Sequence, residues 1–223
     1  MNQLQDWLFE LAGETMAREG SEDAAHDYDH LVRVMAIAGT LQSHEGGDLP
    51  TIWAAVAFHD IGQERERRQG GDHAFIGAEM AAELLTNTRF PQQAIPGVQQ
   101  AIREHRMTGG VAPQTLEGRI LYDADKIDGL GAIGIGRLYM ITGRYNQKVY
   151  SPVPQGIVEP VEPLLVRQLR HRPDYSPSIE FQLLFGNLPE RMMTSTGKEI
   201  ARERFAFMQE FFTRLKKEAE GEL

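Results

Sequence analysis

The stretch AFHDIG, residues 57–62, decides how this chain is read. It closes the apolar run TIWAAVAF (51–58) on a histidine and an aspartate, and a glycine follows shortly after. The run reads as a core helix opened by Pro50, with Ile52, Ala55, Val56 and His59 along its inward face. Consecutive positions on a regular helix point about 100° apart. His59 and Asp60 can therefore share a ligand only where the helix ends irregularly, and Gly62 is read as supplying that end.

Working outward, the spacing of apolar residues stays at three and four rather than two. Leu4, Leu8 and Leu11 share one face of a first helix. DYDHLVRVMAIAGTLQ (27–42) sets Leu31, Val34, Met35, Ala38 and Leu41 on one face of a second, which His30 begins and Asp27 or Asp29 caps. Past AFHDIG, GQERERRQGGD (62–72) reads as a charged linker, and Asp72 caps a helix over 73–88. Pro96 opens another helix, PGVQQAIREH, and TLEGRILYDADKID (115–128) is a further one. GLGAIGIGRLYMITGR (129–144) follows, its glycines and alanines allowing close backbone approach. No strand-like alternation competes, so the expected fold class is all-α, a single helical bundle. Its core covers about 20–142, a loop-rich part carrying Gly143, Pro152, Pro154, Gly156, Pro160 and Pro163 covers 143–195, and a helix over 196–219 closes the chain.

Composition narrows the chemistry. The net charge of −9 repels polyanions, so a nucleic-acid polymer is not the expected partner. With no cysteine, thiolate nucleophiles, zinc–thiolate sites and iron–sulfur clusters are excluded, and any metal must use His, Asp or Glu. The acidic, amphipathic start and the absence of a stretch near the roughly 20 apolar residues of a membrane span point to a cytoplasmic protein without a membrane partner.

Six of the seven histidines precede residue 106, several of them where helices begin or end. A lone histidine on an apolar face is ordinarily a hydrogen-bonded core residue. The ordered set His30, His59 with Asp60, and Asp125, each on a separate apolar-flanked segment, points instead to a metal site. Imidazole and carboxylate ligands suit Mn, Fe, Co, Ni or Zn. Arg33, one turn beyond His30, Lys126, beside Asp125, and Arg137 are candidates to hold phosphate charge, with a solvated helix face as the alternative for both arginines. Asp128, three residues after Asp125, can orient a ligand or a substrate hydroxyl. His26 is read in a capping or surface role, and His44 and His171 as surface residues.

With HLVRV (30–34), AFHDIG (57–62) and YDADKIDGLGAIGIGR (122–137) in place, the chain resembles the HD superfamily of metal-dependent phosphohydrolases, whose signature is H…HD…D. HAFIGAEMAAELL (73–85) and AIREH (101–105) extend the likeness toward small stand-alone bacterial HD hydrolases. The resemblance implies a divalent ion on His30, His59, Asp60 and Asp125, with Mn preferred over Co, Ni, Mg or Fe, and a small phosphate substrate. The reaction it favours converts a nucleoside triphosphate to monophosphate and pyrophosphate. It implies one of two roles for His73 and His105: ligands of a second ion that Asp60 bridges, or phosphate contacts beside a single ion, the latter preferred. Asp60 also enters the catalytic set. Several HD hydrolases carry an acidic general acid or base three residues after the metal Asp; here Gln63 stands there, leaving Glu64 as the candidate base or as part of an exposed ERER run. The same resemblance leaves a mixed-valent di-iron oxygenase and a nucleotide-sensing scaffold as alternatives. A cyclic-dinucleotide phosphodiesterase is weakened by the absence of that branch's GYP-type segment.

Overall fold

A computed structural model describes residues 3–20, 24–106, 112–152, 169–172 and 174–223, with only the backbone described at 24–27. Its described residues hold helices and no strand. The chain divides into two compact units, residues 1–125 with 193–196, and 126–192 with 197–223.

The first unit is built around α3 (Leu49–Phe58). Asp48 caps it by accepting from Thr51 N at 3.0 Å, and Pro50 occupies its first turn, where no N–H is missed. Every residue from Thr51 to Phe58 is buried, so the helix has no outward face. The expectation of a single inward stripe is corrected accordingly, since a helix apolar all round belongs inside. Around it pack α1 (Gln3–Glu19), α2 (Ala24–Glu45), α5 (His73–Thr86) and α6 (Ile95–Glu104). On α2, Leu31, Val34, Met35, Ala38 and Leu41 are all buried, as their spacing requires. On α1 the buried face is Leu8, Phe9, Ala12 and Met16, leaving Leu4 and Leu11 half-buried.

Two helix boundaries differ from the sequence reading. α2 begins at Ala24, so His30 lies well inside it and neither Asp27 nor Asp29 is its cap; two alanines, the strongest helix formers, extend it backward. The supposed linker contains a helix, α4 (Gln63–Gln69), made of good helix formers and stapled by Glu64–Arg67 and Glu64–Arg68 pairs. Asp72 does cap α5, accepting from Ala74 N at 2.9 Å. Pro96 sits in the first turn of α6, which Ile95 begins after a short 3₁₀ turn. α7 (Leu116–Asp128) carries the buried Asp123, whose carboxylate accepts from Met193 N, Thr194 N and Thr194 Oγ1 at 2.7–2.8 Å.

In the second unit, α8 (Gly131–Arg144) follows the end of α7 through a turn so tight that a Cβ on Gly134 would lie 2.1 Å from the Gly129 carbonyl oxygen. Of the segment read as loop, Pro177–Glu180 is a one-turn helix, α9, continuing as a π-turn over Phe181–Phe185, and Leu188–Arg191 is a 3₁₀ turn. Pro154, Gly156, Pro160 and Pro163 lie outside the described residues. The closing helix, α10 (Ser195–Ala219), stacks Phe212 on Phe181 with ring centroids 4.6 Å apart. No helix among the described residues is long and apolar enough to cross a membrane.

Candidate metal centre

Four imidazoles line up inside the first unit. His30, His59, His105 and His73 follow one another with ring centroids 5.5, 5.1 and 5.3 Å apart. They come from α2, the end of α3, the end of α6 and the start of α5, so tertiary packing, not local sequence, assembles the row. Two carboxylates face it. His30 Nε2 lies 3.4 Å from Asp125 Oδ1, and His59 Nε2 lies 3.4 Å from Asp60 Oδ2 and 4.0 Å from Asp125 Oδ1. The other Asp60 oxygen, Oδ1, faces His105 Nε2 at 3.7 Å and His73 Nε2 at 3.9 Å.

The direction of each lone pair follows from what the other ring nitrogen touches. His59 Nδ1 is 2.9 Å from the Val56 carbonyl and His105 Nδ1 is 2.6 Å from the Ile102 carbonyl. A carbonyl only accepts, so both Nδ1 atoms carry a proton, and in the neutral rings both Nε2 atoms present a lone pair. His59 Nε2 is wholly buried and makes no hydrogen bond. A buried lone pair aimed at two carboxylates is costly unless a proton or a metal cation stands between them.

The titration behaviour has the same cause. Burial alone would lower the His59 pKa, but the Asp60 and Asp125 carboxylates outweigh it and hold it above the ordinary value. Burial alone would raise Asp60, yet His59 and His105 hold it well below the usual carboxylate range. The cluster thus favours positive charge beside ionised carboxylate. Ligand atoms of His30, His59 and Asp60 lie within 4.8 Å of one another, as do those of Asp60, His73 and His105, so the donor set fits a divalent cation.

Gly62 matters for a reason other than the one read from sequence. Its φ of −82° is ordinary, but a Cβ there would lie 2.3 Å from the His73 carbonyl oxygen and 2.7 Å from Gly77 N. It lets the turn after Asp60 press against the start of α5.

The remaining candidates are placed as follows. Arg33 is half-buried on α2. Glu64 is held by Arg67 at 2.6 Å and faces Arg68 at 3.5 Å, while lining the same small crevice as Asp60. Lys126, Asp128 and Arg137 belong to the second unit, where the buried Asp128 carboxylate accepts from Arg137 Nη1 at 2.7 Å. His44 is exposed and bonded to the Thr40 carbonyl, His171 is exposed against Tyr145, and the His26 side chain lies outside the described residues. Glu66, which sequence reasoning passed over, accepts from His73 Nδ1 at 3.0 Å. Nothing in the ERER run marks it as the carboxylate that turns inward.

An all-helical unit that gathers H…HD…D in this way is similar to an HD domain. Residues 27–130 match the model of the HD domain family. Over that region the chain is similar to HD-superfamily hydrolases. The structure of a predicted HD superfamily hydrolase from an uncultured Thermotogales bacterium is 28% identical with a TM-score of 0.64, over 96% of this chain and 91% of that one. The Bacillus subtilis protein YpgQ is 25% identical over 90% of this chain and 87% of its own length. The crystal structure of YpgQ in complex with ADP shares the fold, with a TM-score of 0.66 at 23% identity over 93% of this chain and 97% of that one. Clostridium perfringens Ribonuclease Y is 33% identical over 44% of this chain, a match spanning 17% of that protein.

Proposed function

We propose that this protein is a metal-dependent phosphohydrolase acting on a nucleotide or small phosphate ester, with nucleoside triphosphate cleavage to monophosphate and pyrophosphate as the preferred reaction. The observation that carries the reading is the row of imidazoles facing Asp60 and Asp125, with His59 Nε2 buried and unbonded. A divalent cation, Mn by preference, held by His30, His59, Asp60 and Asp125 supplies Lewis acidity and lowers the pKa of water. The chain's own part is positional. His59 and His105 are locked by carbonyls of their own helices, so their lone pairs need no reorganisation. Asp60 and Asp125 are the most exposed members and form the open side of the cluster. Arg33 and Lys126 are proposed to hold phosphate charge, Lys126 directly following Asp125 on α7; Asp128 holds Arg137 for the same purpose. The ADP seen in YpgQ supports a nucleotide-sized phosphate ligand.

A second occupancy is favoured by one observation. Asp60 divides its oxygens, Oδ2 toward His59 and Oδ1 toward His105 and His73, which suits two ions as well as one. One ion per chain, with His73 and His105 toward phosphate, is the working reading.

The deciding experiment uses metal-stripped protein reloaded separately with Mn, Co, Ni, Mg and Fe. Each form is offered nucleoside triphosphates and simple phosphate esters in heavy-oxygen water. Attack at the α-phosphorus places the label in the monophosphate. Label found only in pyrophosphate or free phosphate rejects that reaction, and hydrolysis of nothing by any form rejects the phosphohydrolase reading.

A further inference from the structure

His73 is oriented differently from its neighbours in the row. His59 and His105 stand at helix C-terminal ends, where a carbonyl three residues back accepts the Nδ1 proton. His73 is the first residue of α5, and the residue three before it, Gly70, lies outside any helix. No carbonyl of its own helix precedes it, so its acceptor has to come from another element. That acceptor is Glu66 of α4, whose Oε2 lies 3.0 Å from His73 Nδ1. Glu66 is steadied in turn by Arg106, whose Nη1 is 3.7 Å from Glu66 Oε1 and 2.8 Å from Asp72 Oδ2. The other Asp72 oxygen caps α5 through Ala74 N. The ends of α4, α5 and α6 are thus tied by one arginine that directly follows His105.

Glu66, Asp72 and His73 also lie close enough together to be considered as a cation site of their own. The Arg106 guanidinium already supplies positive charge to both carboxylates, and the His73 Nδ1 proton faces Glu66. The trio therefore acts on the main cluster and not as a separate one.

We infer that Glu66 is a positioning residue that fixes His73 as the Nδ1–H tautomer and aims its Nε2 at Asp60 Oδ1, 3.9 Å away. The inference rests on the metal-cluster reading above and concerns the half of the cluster made by Asp60, His73 and His105. A carboxylate partner makes an imidazole a stronger electron-pair donor than a carbonyl partner does, and removing such a partner typically costs about 10–100-fold in metal affinity or activity. The Asp60, His73 and His105 half of the cluster should therefore respond to Glu66, while the tautomers of His59 and His105, fixed by backbone, should not.

The test uses the full chain and two readouts that need no substrate. Long-range proton–nitrogen spectra of the metal-free, histidine-labelled protein at alkaline pH report each tautomer. Titration with Mn(II) followed by electron paramagnetic resonance reports affinity. In Glu66→Ala, His73 should move toward the Nε2–H form while His59 and His105 keep theirs, and any Mn(II) held by the Asp60, His73 and His105 half of the cluster should bind on the order of 10–100-fold more weakly. Glu66→Gln, which keeps an acceptor oxygen and the side-chain shape, should keep the tautomer and lose less affinity; it also serves should Glu66→Ala fail to fold. An unchanged His73 tautomer in Glu66→Ala, or a tautomer lost in Glu66→Gln as completely as in Glu66→Ala, would overturn the inference. A wild-type chain that shows these Glu66 effects yet hydrolyses no phosphate compound upholds the positioning role while the phosphohydrolase reading fails. One that hydrolyses phosphate esters but shows no Glu66 effect does the reverse.

Discussion

His59 and Asp60 are consecutive in the chain, yet their side chains face each other, Nε2 to Oδ2, across 3.4 Å. On a continuing helix they would diverge by about 100°. α3 instead stops at Phe58, and a turn carries Asp60 back toward the imidazole, closed by Ile61 N donating to the Phe58 carbonyl and Gln63 N to the Asp60 carbonyl. α4 then starts at once. The pair therefore works as one unit, with His59 anchored in the core and Asp60 turned outward.

Asp60→Ala should abolish both metal binding and turnover while leaving helical content near the wild-type level. Asp60 faces His59 with one oxygen and His73 and His105 with the other, so no other side chain replaces its charge for both pairs. The apolar burial around it comes from α3, α5 and α6 and is untouched. Elemental analysis and circular dichroism check this. Full activity in a metal-free variant would sink the metal reading.

Gly62→Ala should destabilise the protein and loosen the metal centre together. The added Cβ would meet backbone atoms of His73 and Gly77 at 2.3 and 2.7 Å, and backbone cannot swing aside as a side-chain tip can. Overpacking of this kind costs about 1–3 kcal/mol or more. For a chain of this size that lowers Tm by roughly 3–10 °C. Because the collision is with His73 itself, Mn affinity should drop as well. Wild-type Tm and affinity would show that the turn is free to move.

Legibility in the sequence followed the kind of force at work. The buried face of α2 was readable because apolar burial leaves a periodic trace, α3 as a core helix because its residues are almost all apolar, and Asp72 because a cap acts over two residues. The members of the centre were readable as residue types: His30, His59, Asp60, His73, His105 and Asp125 are brought together by packing, although their roles were assigned by resemblance. α4 was missed because a polar helix leaves no apolar period, and the early start of α2 because its first residues precede the apolar pattern. The bond from His73 to Glu66 was hidden for a related reason: an ERER run gives no hint of which carboxylate turns inward. Gly62 was noticed but misread, since a close approach to α5 depends on a partner helix that sequence spacing does not specify.

Glu45 should make a pH-dependent contribution to stability. Its Oε1 accepts from Thr196 N at 2.7 Å, and that backbone hydrogen bond, first among its partners, holds its pKa below the ordinary range. In the unfolded chain it protonates at about 4.3. A carboxylate depressed on folding stabilises above the unfolded value and loses that contribution as pH falls through the folded one. Glu45→Gln should therefore lower Tm by about 2–4 °C at neutral pH, equivalent to ~1 kcal/mol, and the gap should close as pH drops below about 4. A gap that is constant with pH would mean that the charge plays no part.

Metal count separates the two occupancies. With one ion on His30, His59, Asp60 and Asp125, His105→Ala should keep close to one metal per chain and lose rate through phosphate positioning. A fall from two ions to one, read by elemental analysis, would instead establish the bridged arrangement suggested by the two Asp60 oxygens. Chelation should lower the Tm of wild type in either case, since an ion that binds only the folded chain stabilises it.

Lys126→Met distinguishes a triphosphate substrate from a monoester. Cleavage to monophosphate and pyrophosphate needs cationic side chains for the β- and γ-phosphates that depart together, beyond what holds the α-phosphate. Lys126 directly follows Asp125 on α7 and is half-buried, so its charge is partly shielded from water and correspondingly effective. Methionine keeps the bulk and removes the charge. The rate on a nucleoside triphosphate should therefore fall much further than the rate on a monophosphate ester, about tenfold for each 1.36 kcal/mol of transition-state stabilisation lost. The comparison is of kcat/KM on both substrates with the same metal-loaded protein. Equal losses would assign the protein to monoester hydrolysis or make Lys126 a structural residue, and circular dichroism of the variant would tell those two apart.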